Sequence, residues 1–321
     1  QPFTVNAGQV ATVSIPVALA HHIGSEIVSN KAVRVSANDT VSVYAMNAKL
    51  NSTDGTVVLP VQSLGKDHRV SSYFGYQFTS LPLYSQLLIV AHSNGTTVEI
   101  TPKVATLGGK PAGVPFTVTL NSGESYQVQA ASVNTDITGT VVKSVSGKTF
   151  AVFSGVVCTK IPTDCVACDH LMEQNYPLDQ WGKEYHAVPY KYIPGVNKDR
   201  YTYRILADQN NTTVTINGGS PVNLGAGGIH EVNHATAPLC ISSNKDICVT
   251  QFMESYNCGP GMWDPLGDPA MMILNPDNRK IDTAVFSTFT TENAQYFDTS
   301  TQSYVSKDTT SLSIVTETAN T

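Results

Sequence analysis

The feature that most limits what this chain can fold into is an internal repeat of short alternating segments. Leu64-Gly65-Lys66-Asp67-His68 returns 117 residues later as Trp181-Gly182-Lys183-Glu184-Tyr185, and Thr96-Thr97-Val98-Glu99-Ile100 returns 116 later as Thr212-Thr213-Val214-Thr215-Ile216. Val118-Thr119-Leu120-Asn121-Ser122-Gly123 returns 104 later as Val222-Asn223-Leu224-Gly225-Ala226-Gly227, so the second copy has shorter loops on the same plan. Thr149-Phe150-Ala151-Val152-Phe153 has its counterpart in Asp246-Ile247-Cys248-Val249-Thr250-Gln251-Phe252. Within each copy the apolar residues alternate with a period of two, and turn residues such as Asn94-Gly95, Asn121-Ser122-Gly123 and Asn217-Gly218-Gly219 separate the runs. Period-two runs of this length bury one face of a strand, and repeated short strands build sandwiches or barrels.

The expected fold is therefore all-β, with tandem β-sandwich-like (jelly-roll-like) units of antiparallel strands. A β-propeller is the alternative; it ranks lower because blades recur every ~40–50 residues. The ends resemble parts of the same unit. Ile23 to Val33 is similar to Ile137 to Ser144, and Ser311-Leu312-Ser313-Ile314-Val315 is similar to Leu87-Leu88-Ile89-Val90. The expected organisation is an N-terminal half unit (1–62), a first full unit (63–160), a second full unit with a Cys-rich segment (161–258) and a C-terminal half unit (259–321). The halves either complete one another or belong to a protein that continues past Thr321.

Composition narrows the setting. Charged residues make up 14% and the net charge is −6, so polarity comes mainly from Ser, Thr, Asn, Gln and Gly, and no nucleic-acid surface is expected. No stretch of ~18 apolar residues is present, so no membrane insertion is expected. Gln1 reads as the residue after a removed signal peptide or at an expression boundary. Six cysteines, Cys158, Cys165, Cys168, Cys240, Cys248 and Cys258, form an even, clustered set that reads as disulfides in an oxidising compartment. Cys240 and Cys248 flank the turn-like Ser242-Ser243-Asn244-Lys245 and are expected to pair across a hairpin; the other four are expected to pair locally. Glycosylation sequons stand at Asn38, Asn51, Asn94, Asn210 and Asn211, a number that chance explains in a chain of this composition; Asn94 and Asn210-Asn211 fall at turns, where glycans need to be.

Residues 158–186 break the alternation and hold the candidates for chemistry. Cys165-x-x-Cys168 with His170 offers soft metal ligands, but a zinc site wants a second short-spaced pair, and disulfides are the stronger reading. Asp169, His170 and Glu173 are a possible acid, base and orienting group, yet no nucleophile-elbow or zincin motif accompanies them; hydrogen bonding at a sandwich corner is favoured. His21-His22 is a weak metal pair, since neighbours on a strand point apart. Asp264, Asp268 and Asp277 are candidates for a structural Ca²⁺, with Asx turns the plainer reading; otherwise no cofactor is expected. Trp181, Trp263, Tyr73, Phe74, Tyr76, Tyr190 and Tyr192 are candidates for a sugar- or protein-binding patch, or for core.

Asp169-His170-Leu171-x-Glu173-Gln174, Pro177, Trp181-Gly182-x-x-Tyr185, and then Asp268-Pro269-Ala270-Met271-Met272 with Asn275-Pro276 resemble the N-terminal domain family of IgG Fc-binding protein. The run Lys148 to Gly155 is similar to that family too, and the likeness spans roughly residues 25–321. The resemblance implies a secreted, mucus-associated or cell-surface protein with adhesive or matrix functions and no enzyme activity. It does not by itself imply binding of antibody Fc.

The leading functional expectation is an extracellular, non-catalytic binding or adhesion module recognising protein or glycan ligands of mucus or matrix through loops and strand edges. Alternatives are a structural subunit of a surface filament or matrix, self-associating through strand edges, and a glycan- or peptide-hydrolysing enzyme using paired carboxylates.

Overall fold

The computed structural model describes residues 2–49, 52–189, 200–255 and 268–279, and the backbone of two further strands, 295–298 and 303–306. Asn51, Tyr190, Tyr192, Cys258, Trp263 and Asp264 lie outside the described residues.

After a single helical turn, α1 (Val17–Ala20), the chain is nearly all strand. The N-terminal segment gives β1 (Val28–Ser29), β2 (Tyr44–Lys49) and β3 (Ser52–Val57). Next come β4 (Asp67–Arg69), β5 (Tyr76–Phe78), β6 (Leu81–Leu83), β7 (Ser85–Val90), β8 (Thr96–Thr101), β9 (Phe116–Leu120), β10 (Ser125–Gln129), β11 (Val141–Ser144) and β12 (Ala151–Thr159). The second copy supplies β13 (Asp169–Gln174), β14 (Gly182–Ala187), β15 (Tyr201–Ala207), β16 (Thr212–Ile216), β17 (Val222–Leu224), β18 (Ile229–Ala235) and β19 (Leu239–Met253). Last are β20 (Ala270–Ile273) and the hairpin β21 (Gln295–Asp298) with β22 (Ser303–Ser306). Every ladder among the described strands is antiparallel.

The first unit is a sandwich of a five-stranded sheet, β1-β10-β7-β12-β13, and a four-stranded sheet, β4-β11-β8-β9. Alternation explains it: β7 and β8 both bury every second residue, and Leu87, Ile89, Val98 and Ile100 meet Val128, Val142, Phe150 and Val152 in one core. Strand β13 follows residue 160, yet it pairs with β12 of this first sheet.

The second unit is stitched by β19, which runs 15 residues without interruption. Its first half alternates between buried and exposed positions and pairs with β14 and β16; its second half is almost wholly buried and lies between β15 and β20. Strand β15 is buried along its whole length because β18 and β19 flank it. The expected hairpin between Cys240 and Cys248 is thus not formed. Ser242-Ser243-Asn244-Lys245 stays within the strand, because Ser242 has ladder partners on both sides, Glu184 and Thr215. Both thiols are free, Cys240 exposed and Cys248 buried. Extended chain rises ~3.3 Å per residue, which holds them far beyond disulfide reach.

A third cluster, including Tyr73, Val156, Ile161, Leu171, Trp181, Leu206, Phe252 and Met271, joins the two units. The junction repeats stepwise. Short 3-10 turns at Val61–Ser63, Leu178–Gln180 and Asp277–Arg279 each follow a proline, Pro60, Pro177 and Pro276. Gln180 Nε2 donates to Ser63 O at 2.6 Å, and Arg279 Nη2 donates to Asp179 O at 2.7 Å, so each turn is tied to the one before. Gly65 and Gly182 let the prolines in. A Cβ on Gly65 would lie 2.1 Å from Pro177 Cβ, and one on Gly182 2.4 Å from Pro276 Cβ.

Candidate functional site

Strand β13 carries the residues singled out in the sequence, and period-two geometry divides them. Asp169, Leu171 and Glu173 share one face; His170, Met172 and Gln174 share the other. Asp169 is 2% exposed and Glu173 9%. His170 is turned away from both, with Nε2 3.1 Å from Asn47 Nδ2 and its pKa lowered by burial. The three side chains therefore do not converge as an acid, base and orienting group.

What they do is tie β3, β13 and β20 together. Asp54 Oδ2 accepts from Met172 N at 2.9 Å, and Gly55 N donates to Asp54 Oδ1 at 2.8 Å. Asp169 Oδ2 faces Thr53 N at 3.4 Å, and Glu173 Oε1 accepts from Ile273 N at 3.3 Å. Gln174 Oε1 accepts from Leu59 N at 2.8 Å, while Gln174 N donates to Thr56 Oγ1 at 3.0 Å. Side-chain acceptors thus satisfy backbone donors between strands that share no ladder. The cost falls on ionisation of the buried carboxyls. Desolvation pushes Asp54 up to about 7 and Glu173 up to about 8, opposed by hydrogen bonds to their charged forms and reinforced by neighbouring carboxylates. Asp268, hydrogen-bonded to Asp169 at the mouth of the cluster, rises to about 7 through desolvation and the Asp169 charge.

Trp181 is 5% exposed, with its indole N–H donating to Tyr176 O at 3.3 Å, and Gly182 is the close-approach glycine of the proline step. The motif from Asp169 to Gly182 is framework throughout.

Cys158 and Cys168 form a disulfide, with Cα atoms 5.3 Å apart, and Cys165 is disulfide-bonded as well. These bonds consume the thiols that a Cys-x-x-Cys-His metal site would need. Among the described residues no three His, Cys, Asp or Glu side chains are grouped to hold a metal ion. His22 Nδ1 instead meets Ser125 Oγ at 2.9 Å, and Asp277 pairs with His186.

A second buried charge cluster had no signal in the motifs. Arg204, 3% exposed, donates to Asp136 Oδ2 at 2.5 Å, Glu231 Oε2 at 2.6 Å and Ser72 O at 3.0 Å, and stacks 3.9 Å over the Tyr73 ring. It pins the second unit to the first. An arginine within the otherwise apolar run Tyr203 to Ala207 was the available clue.

One surface opening lies beside the disulfide loop, and a larger, shallower one of about 730 Å³ lies at the Asn210–Asn211 turn against Asn223 and Leu224. A groove of about 450 Å³ is lined by Phe74, Tyr76, Gln77, Asn134, Lys160 and Thr163, among others. Lys160 Nζ stands 4.7 Å from the Tyr76 ring centroid. The β5–β6 hairpin beside it exposes Phe78 and Leu81, each by more than half. Of the aromatic residues suspected from sequence, Tyr73 and Trp181 are core, whereas Phe74 and Tyr76 are half-buried and line the groove.

The sequon asparagines Asn38, Asn94, Asn210 and Asn211 are exposed. Asn94 and Asn210 occupy the same turn in the two copies. Each side-chain oxygen accepts a backbone N–H, from Ser122 at 3.0 Å and Ala226 at 2.9 Å. Each carbonyl accepts a lysine, Lys148 or Lys245. The following residue is left-handed in both, Gly95 at φ +64° and Asn211 at +57°. Turn geometry alone accounts for Asn-x-Thr appearing at both places.

An all-β, disulfide-bonded framework whose signature residues are buried ties defines a scaffold module rather than a cleft built around its motif. The profile described as IgGFc binding protein matches residues 54–320. The human protein named IgGFc-binding protein is 32% identical over 281 residues, covering 85% of this chain. The chain belongs to the IgGFc binding protein family. It spans 5% of that relative's length. No solved structure matches it.

Proposed function

We propose that this chain is a non-catalytic extracellular binding module, and that the groove between the β5–β6 hairpin and the disulfide loop takes an extracellular glycan. The groove carries the reading: it offers a half-exposed aromatic face, side-chain amides from Gln77 and Asn134, the Thr163 hydroxyl and the Lys160 ammonium. Aromatic faces pack against the apolar side of a sugar while amides and hydroxyls exchange hydrogen bonds with its alcohols. The ammonium favours an acidic sugar. Disulfide bonds support an oxidising, extracellular setting. The reading calls for no cofactor. The human relative is named for binding IgG Fc, so a protein ligand is the competing reading for this chain.

A glycan array probed beside immobilised IgG Fc separates the two. Saturable binding to acidic glycans, weakened at least tenfold in both Tyr76→Ala and Lys160→Ala, is the expected result. Binding to Fc alone, unchanged in both variants, would replace the glycan reading with the protein one.

A further inference from the structure

Among the described residues, every one that lines the groove beside the disulfide loop lies between 74 and 163, yet its walls are held from the second unit. The first wall runs from Phe74 to Gln77, and the second is Val133 with Asn134. They meet at Gly75, where a Cβ would lie 3.0 Å from both Val133 Cα and Val133 O. Behind them a closed circuit of hydrogen bonds passes through Arg204 of β15. Arg204 Nη1 donates to Ser72 O at 3.0 Å and to Asp136 Oδ2 at 2.5 Å. Asp136 Oδ1 accepts from the Thr138 hydroxyl at 2.6 Å, and Thr138 Oγ1 accepts from Ser72 N at 2.9 Å. Each wall is thus fixed two residues from the point where it enters the groove, at Ser72 for Phe74 and at Asp136 for Asn134. The guanidinium also lies 5.3 Å from the Phe74 ring centroid.

The third wall, Thr159, Lys160 and Thr163, belongs to the disulfide loop. A reciprocal pair of bonds ties it to Ser255, just beyond the end of β19: Ile161 N donates to Ser255 Oγ at 2.7 Å, and Ser255 N donates to Ile161 O at 2.6 Å. Arg204 and Ser255 are each 3% exposed, too buried to meet a ligand themselves.

We propose that, on the glycan reading of the groove, Arg204 and Ser255 are its positioning residues, holding the three walls in binding geometry from the second unit. The aromatic face, the Asn134 amide and the Lys160 ammonium come from three separate segments, so their mutual placement depends on what anchors each segment. Recognition groups held in place by buried hydrogen bonds lose less freedom when a ligand arrives. The planar arginine fork suits this task. It reaches Ser72 O, Asp136 and, through Nε at 2.6 Å, Glu231 of its own unit, a span that the compact ammonium of lysine does not reproduce.

The test uses the full chain with Arg204→Lys or Ser255→Ala. Arg69→Lys is the control, because Arg69 also ties the units together, through Asp208 and Gly139, and neither partner lines the groove. Two quantities are measured: affinity for immobilised sialyllactose, and amide hydrogen exchange of the ligand-free chain. Arg204→Lys is expected to speed exchange across 72–77 and 133–138, and Ser255→Ala across 159–163. Each effect should be at least about fivefold, as for one lost hydrogen bond, with a matching loss of affinity. Arg69→Lys should leave affinity and all three segments within about twofold. Unchanged exchange in both test variants, faster exchange with affinity intact, or the same losses in Arg69→Lys would overturn the assignment. Ser255→Ala keeps the Ser255 N bond to Ile161 O, so it decides the matter even if Arg204→Lys does not fold. A parent chain that ignores sialyllactose counts against the glycan reading, while the exchange measurement still decides whether the second unit holds the walls.

Discussion

Replacing Glu173 with Gln should change how stability depends on pH more than it changes stability itself. The Glu173 carboxyl is 9% exposed, and desolvation holds its pKa at about 8 against an ordinary 4.5. Between those values the folded chain keeps a proton that the unfolded chain has lost. Its contribution is therefore fully present below pH ~4.5 and is lost as pH rises through about 8. The slope is about 1.4 kcal/mol per pH unit, up to about 5 kcal/mol over the interval. Gln keeps the carbonyl that accepts from Ile273 N and cannot ionise, so at pH 5 the variant should lie within about 1 kcal/mol of the parent. Above pH ~6.5 it should be the more stable of the two. Urea unfolding followed by intrinsic fluorescence at pH 5, 6, 7 and 8 reads both curves. Parallel curves would refute the claim that this buried acid is held neutral in a strand junction.

Arg204→Met leaves Asp136 and Glu231 without their shared cation and should cost about 3–5 kcal/mol in urea unfolding at pH 7; a loss below 1 kcal/mol would show that the cluster does not lock the units. Gly65→Ala drives a methyl into Pro177 and should cost about 1–3 kcal/mol, read as a fall in melting temperature, whereas the exposed Gly147→Ala, which meets nothing within 4 Å but sits at φ +73°, reports backbone strain alone. A thiol reagent on the native chain should label Cys240 and leave Cys248, whose thiol burial pushes up to about 12, until denaturant is added; early labelling of both would contradict the course of β19. Burial holds His68 neutral to about pH 4, so its contribution is complete above pH ~6.5 and is lost as pH falls towards 4; His68→Gln should flatten the acid limb of the stability profile.

Alternation made the strands legible, because each half-buried strand writes its exposure into every second residue, as in Ser85 to Val90 and Thr96 to Thr101. The repeat was legible because both copies keep the glycine that admits the next proline. Ser242 to Lys245 misled because turn-forming residues and the exposed face of a long strand share the same chemistry; only the flanking β14 and β16 decide between them. The roles of Asp169 and Glu173 could not be read locally, since their partners, Thr53 and Ile273, lie 116 and 100 residues away. Asp54 stands in no motif, and it is the acceptor that joins β3 to β13. The groove is assembled from segments around residues 75, 133 and 160; Phe74 and Tyr76 were candidates for a binding patch, but nothing in the sequence joined them to Asn134 and Lys160.

The division of labour, with buried carboxylates as framework and the surface groove as reader, is tested most directly by measuring glycan binding and thermal unfolding side by side for Tyr76→Ala and Glu173→Gln at pH 6. The account predicts that the first variant melts as the parent does and loses the ligand, and that the second keeps the ligand. A folded Glu173→Gln chain that no longer binds, beside a Tyr76→Ala chain that still does, would move recognition to the acidic junction and contradict it.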